Sequence, residues 1–144
     1  MSQAVTPYHT YTYTPLDWSS VPKDRDEARW WLLTNPDPRY FLELCCHINL
    51  QGKGKAPFVC MPWMHEVSSA GIGRHEMMLK ARGNASSTFW ALTLLRKMLT
   101  NPGANMVIQA NKEDNSANIL TIVKFAVEHM PTWIKPVVGR ENHT

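Results

Sequence analysis

Residues 77–110 read MMLKARGNASSTFWALTLLRKMLTNPGANMVIQA, and the fold turns on how this stretch is parsed. MMLKA is a short apolar run, RGNASS a small-residue turn, and TFWALTLLRKML a stretch with apolar residues at helical spacing. Thr100, Asn101, Pro102 and Gly103 make a stop, and NMVIQA is a second apolar run. Strand, tight loop, helix and strand together predict a βαβ unit. Its first loop is where such units hold phosphate, because backbone N–H groups at a helix start lack intrahelical partners and point outward.

Set against the phosphate-loop pattern G-x-x-x-x-G-K-[ST], the segment KARGNASS places Lys80 at the first glycine, Ala85 at the second, Ser86 at the lysine and Ser87 at the hydroxyl. Only the hydroxyl agrees. The physical roles can still be filled: Gly83 with the short Asn84, Ala85 and Ser86 lets the backbone curl, and Ser87 or Thr88 offers a hydroxyl to Mg²⁺. Lys80 or Arg82 brings the positive charge, and a lysine acting as a point charge need not start from the helix side of the loop. Ala85 is a departure with a cost, because its Cβ opposes the left-handed backbone that a glycine there would permit. The same serines also suit an ordinary helix cap, and residue types alone leave both readings open.

Outward from this stretch, residues 1–22 alternate Thr and Tyr (YHTYTYT) before Pro15 and Pro22, and are expected to form a mobile N-terminal arm. Residues 23–70 read as a helical leading segment. Asp24, Asp26 and Glu27 start one helix, Trp30, Trp31, Leu32 and Leu33 fill it, and Asn35 and Pro36 stop it. A second helix is expected from Asp37 and Pro38, with Tyr40, Phe41, Leu44, Cys45 and Ile48 on its core face. QGKGK (51–55) reads as a flexible basic loop, and Pro62 and Trp63 open a short helix. Residues 71–144 are then expected to form an α/β core, which would bind nucleotide if the loop holds phosphate, and a last helix carries Ile119, Ile122, Val123, Ala126 and Val127 along one face.

The 144 residues suit one domain, and 44% apolar with 19% charged residues describes a chain that can bury a core. A formal charge of +3 permits contact with nucleic acid without demanding it. No apolar run approaches the roughly 20 residues of a membrane span. Without the charged start and apolar block of a signal peptide, a cytosolic setting is expected. Cys45, Cys46 and Cys60 form neither an even disulfide framework nor a C-x-x-C pair, so they read as buried small hydrophobes. Arg96 and Lys97 suit the C-terminal end of their own helix through its dipole.

Three blocks together resemble the N-terminal part of a phage terminase large subunit, the ATP-driven motor that packages viral DNA. NPDPRYFLELCCHINLQGKGKAPFVCMPWMHE is similar to the family's first segment, with its Tyr-Phe, Pro-Phe and Pro-Trp-Gln-x-Glu landmarks. KARGNASST resembles a deviant phosphate loop with the lysine at its first position, and NPGANMVIQANKEDNSANIL resembles the strand, turn and helix that follow. The resemblance implies a partial phosphate-loop NTPase of the RecA or helicase-like kind, an α/β parallel sheet with flanking helices behind an N-terminal helical segment. It implies ATP and Mg²⁺ as cofactors, with Lys80 on the terminal phosphates, Arg82 supporting them, and the loop from Lys80 and Ala81 through Gly83, Asn84, Ala85 and Ser86 to Ser87 and Thr88 wrapped around them. Ser87 is the implied metal ligand. Trp63 and Met64 stand in the adenine motif, where methionine replaces the glutamine that reads the base edge.

By the same resemblance the intact motor is a homo-oligomeric ring on the portal protein. It works with a small terminase subunit on double-stranded viral DNA, in the cytoplasm of the infected cell and without a membrane. No apolar strand after Ala110 ends in paired carboxylates, and no nuclease domain follows, so the chain is expected to be a truncated front portion with little ATPase activity of its own. Two alternatives remain open: a non-catalytic split or assembly module completed by a partner chain, and a fragment of a helicase-like NTPase outside packaging.

Overall fold

A computed structural model describes residues 15–69, 83 and 85–136. The described residues form a mixed α/β structure with five α-helices and one two-stranded sheet. In chain order these are α1 (Arg25–Thr34), α2 (Arg39–Cys45), β1 (His47–Leu50), β2 (Gly54–Pro57), α3 (Pro62–Ser69), α4 (Ser86–Thr100) and α5 (Glu113–His129).

α1 begins where its acidic start predicts. Asp24 caps it, one carboxylate oxygen accepting from the N–H groups of Asp26 and Glu27 at 3.0 and 3.1 Å. Asn35 ends it. α2 is opened by Asp37, which accepts from the Arg39 N–H at 3.0 Å and also grips the Arg39 guanidinium, with Nη2 2.7 Å from Oδ2. Arg39 is therefore wholly buried as one half of an ion pair.

The second helix is shorter than its apolar spacing predicts. It stops at Cys46, whose extended backbone (φ −100°, ψ 137°) turns the chain into β1, so Ile48 lies on a strand and Leu44 is partly exposed. QGKGK is the turn and first residues of a hairpin, not a flexible loop. Gly52 and Gly54 both take positive φ (+77° and +74°), which lets three residues reverse the chain, and His47 to Leu50 then pair with Pro57 to Gly54. The only sheet among the described residues is thus antiparallel. A parallel pair needs a crossover of a dozen or more residues, and this hairpin has none.

α4 is the centre of the packing. It touches α1, α2 and α5, and it buries Phe89, Leu92 and Leu95 in a core that also holds Leu32, Phe41 and Ile134. Truncating a phenylalanine buried like Phe89 costs about 3–5 kcal/mol. Among the described residues one core therefore takes side chains from both the leading segment and the later residues. Residues 15–22 dock as well: Leu16 is buried, and Trp18 meets the Tyr40 ring edge-on at 5.7 Å. None of the described helices is long and apolar enough to cross a membrane.

The strand expected over residues 105–110 carries no ladder among the described residues. Its exposure still alternates, Met106, Ile108 and Ala110 half-buried between exposed Val107 and Gln109, which is the period of an extended chain laid along a surface. MMLKA, the strand expected before the loop, lies outside the described residues, as do Lys80, Ala81, Arg82 and Asn84.

Candidate functional site

Gly83 and Ala85 lead directly into α4. Gly83 has φ +82°, and Ala85, at the helix N-cap, has φ +54° and ψ +21°. Ala85 is the one non-glycine residue with positive φ among those described, and a left-handed alanine costs about 1–2 kcal/mol. The chain thus takes at Ala85 the conformation that a glycine would take freely, in spite of the Cβ. With alanine at the N-cap there is no side-chain cap bond, so the expected serine cap is absent. The first intrahelical bond runs from the Phe89 N–H to the Ala85 carbonyl at 2.9 Å.

The hydroxyl residues divide by burial: Ser86 is buried within the first turn, Ser87 is exposed and Thr88 is half-buried.

The adenine-motif residues are placed differently. Met64, on α3, is fully enclosed, and its Sδ accepts from the Met61 N–H at 3.3 Å. It offers no face to a base in this arrangement. Trp63 packs edge-on against Phe89 in the first turn of α4, with ring centroids 5.4 Å apart, and its indole N–H is buried without a partner. Both residues are thus taken up in packing, Trp63 against the first turn of α4 and Met64 within the core.

A cleft of about 400 Å³ opens beside Ala85 and Thr88. Ile48 and Leu50 of β1 form one wall, and Ile122 and Phe125 of α5 the other. Asn49 and Thr121 add neutral polar groups. Residue spacing gave no hint of this cleft, because three elements distant in sequence build it.

The cysteines behave as small hydrophobes. Cys45, Cys46 and Cys60 are buried and free. Burial pushes the Cys45 thiol up to about 12, and it drives Cys46 and Cys60 up too, aided at Cys46 by its neighbouring thiols and at Cys60 by Glu43. Among the described residues no group of three or more His, Cys, Asp or Glu side chains is placed to hold a metal ion. His47 is shifted the other way: burial, then the nearby Lys55 and His129 charges, lower its pKa.

Arg96 is not an ornament of its own helix end. Its Nε donates to the Leu32 carbonyl at 3.2 Å and its Nη2 to the Asn35 carbonyl, so it serves the C-terminal end of α1. Burial lowers its pKa, and the Asp37 carboxylate works against that shift. Lys97 does stand in the last turn of α4. No protein-family model, no curated protein and no solved structure matches this chain.

Proposed function

We propose that the chain is the front portion of a terminase large-subunit ATPase domain and that the loop entering α4 holds the triphosphate of ATP with Mg²⁺. The observation that carries this reading is the left-handed Ala85. At the position of the pattern's second glycine the backbone adopts a conformation that alanine resists, and strain of this kind persists where the surroundings require it. Lys80 and Arg82 supply charge to the phosphates, the N–H groups from Gly83 to Ser87 line them, and exposed Ser87 ligates the metal.

In this reading residues 77–81 and 105–110 are strands of a parallel, RecA-like sheet. The intact motor is a ring on the portal protein, moving double-stranded viral DNA in the host cytoplasm with the small subunit as partner.

Titration calorimetry with ATP and Mg²⁺ tests the proposal. Lys80→Ala and Ser87→Ala should each weaken binding by about tenfold or more with the thermal melt unchanged. Absence of binding by the wild-type chain at ATP on the order of millimolar would overturn it.

A second reading, an assembly module completed by another chain, is favoured by one observation. Val107 on the extended segment is 86% exposed and Leu120 of α5 is 46% exposed, so apolar surface stands open where a sheet would continue.

A further inference from the structure

A cavity of about 410 Å³ lies where the C-terminal ends of α1 and α4 meet, with Thr34, Asn35, Arg96, Lys97 and Thr100 in its lining. Arg96 is half-buried, and its Nε and Nη2 are committed to the carbonyls of Leu32 and Asn35. Carbonyls satisfy its donors without neutralising it, and a charge taken out of water is costly unless it is paired. Asp37, the carboxylate that acts on Arg96 through its charge, is itself gripped by Arg39. Among the described residues no carboxylate lies within ion-pair distance of Arg96.

Donors are left over around this cavity. The Nη1 amino group of Arg96 and the Lys97 ammonium make no bond to another described residue. The Asn35 side-chain oxygen accepts from the Asp37 N–H at 2.8 Å, which leaves its NH₂ group without a described partner. The two helix ends oppose an anion, but each amounts to about half a negative charge, against two full positive charges from Arg96 and Lys97. The balance favours a negative ligand.

We infer that the cavity receives a phosphate group, held by the free edge of the Arg96 guanidinium and by the Lys97 ammonium. The planar fork offers two oxygens a fixed geometry, and lysine adds a point charge on a stem long enough to swing over the ligand. The cavity exceeds the ~300 Å³ at which small-ligand sites begin, so the phosphate can be carried on a larger molecule. α4 has 15 residues, which puts this site roughly 20 Å from Ala85 at the other end of the helix. One triphosphate cannot serve both ends, and the inference stands apart from the ATP reading.

NMR titration of the 144-residue chain with inorganic phosphate, chloride making up a constant ionic strength, reads the arginine Nε–H and backbone amide resonances. The Arg96 Nε–H and the Lys97 amide should shift and saturate. Lys97→Ala should weaken the apparent affinity about tenfold. Thr34→Glu, which sets a carboxylate at an exposed position of the same lining, should abolish binding. Lys53→Ala removes the same charge from the exposed hairpin turn and should leave it unchanged. A short DNA duplex that competes with phosphate for these resonances supports the inference and makes a nucleic-acid backbone the source. A duplex that leaves the phosphate shifts in place also supports it, with a small phosphate compound as the source. No saturable shift at Arg96 would overturn the inference. Binding lost in Lys80→Ala but retained in Lys97→Ala would overturn it too, and would leave the phosphate loop standing.

Discussion

The Nε of Arg96, on α4, donates to the backbone carbonyl of Leu32, on α1, at 3.2 Å, so a residue 64 positions later completes the end of the first helix. The Nη2 bond to Asn35 and the Thr100 hydroxyl, 3.3 Å from the Leu33 carbonyl, join the same end. These carbonyls have no partner within their own helix, and the cation complements the negative end of its dipole. Arg96→Ala should therefore cost about 2–3 kcal/mol in urea denaturation, and Arg96→Lys should recover only part of it, because one ammonium cannot copy the fork. A loss below about 0.5 kcal/mol would show that the contact does not hold α1 to α4.

Asp37 and Arg39 make a second prediction, with a pH sign. Burial of Asp37 by itself raises its pKa, but the hydrogen bonds and charge of Arg39 outweigh that and hold the carboxyl below its usual range. A depressed carboxyl pKa gives stability that is present above the unfolded value and lost as pH falls through the folded one. The wild type should thus lose stability below about pH 4 more steeply than Asp37→Asn. At neutral pH that variant should be less stable by roughly 3 kcal/mol, since it leaves a buried guanidinium without its carboxylate. Parallel acid profiles for the two proteins would contradict the assignment.

Ala85 supplies the third. Glycine there removes the left-handed penalty but loses a methyl packed against the core and gains unfolded-state freedom, so Ala85→Gly should change stability by no more than about 1 kcal/mol, in the stabilising direction. Ala85→Val should cost about 2 kcal/mol, because a β-branched residue fits positive φ worst. If thermal melts rank valine above alanine, the backbone at this position is not left-handed in solution.

Helices were the legible part of this chain because their signals are local. Asp24 and Asn35 bracket α1, and the spacing of Ile122, Val123 and Ala126 marks the inner face of α5. The hairpin escaped notice because Ile48 falls at helical spacing from Leu44, and because Gly52 and Gly54 read as a loop until their pairing partners are known. Arg96 reads locally as a charge suited to its own helix end, and nothing near it in sequence points to α1. The burial of Arg39 against Asp37 was not legible either, because Asp37 reads locally as a helix cap. At the candidate site the loop-to-helix junction at residues 83–88 was readable from small residues ahead of an apolar helix. The burial of Met64 and the cleft beside Asn49 depend on contacts across the fold, which no local pattern encodes.

Val107 carries the last prediction, on the open face. It is 86% exposed on a segment whose burial alternates with period two, and together with Met106, Ile108 and Leu120 it borders a cleft of about 460 Å³. An extended segment with no ladder among the described residues and apolar side chains turned outward invites pairing with another strand. The isolated chain should therefore associate as its concentration rises, seen as a growing mean mass in sedimentation velocity. Val107→Glu, which puts a charge on the exposed position without touching the half-buried row, should suppress that association and leave the thermal melt within about 0.5 kcal/mol of the wild type. A wild-type chain that stays monomeric across the same range would mean that this face needs no partner, which would remove the observation favouring an assembly module and leave nucleotide binding as the sole reading of the chain.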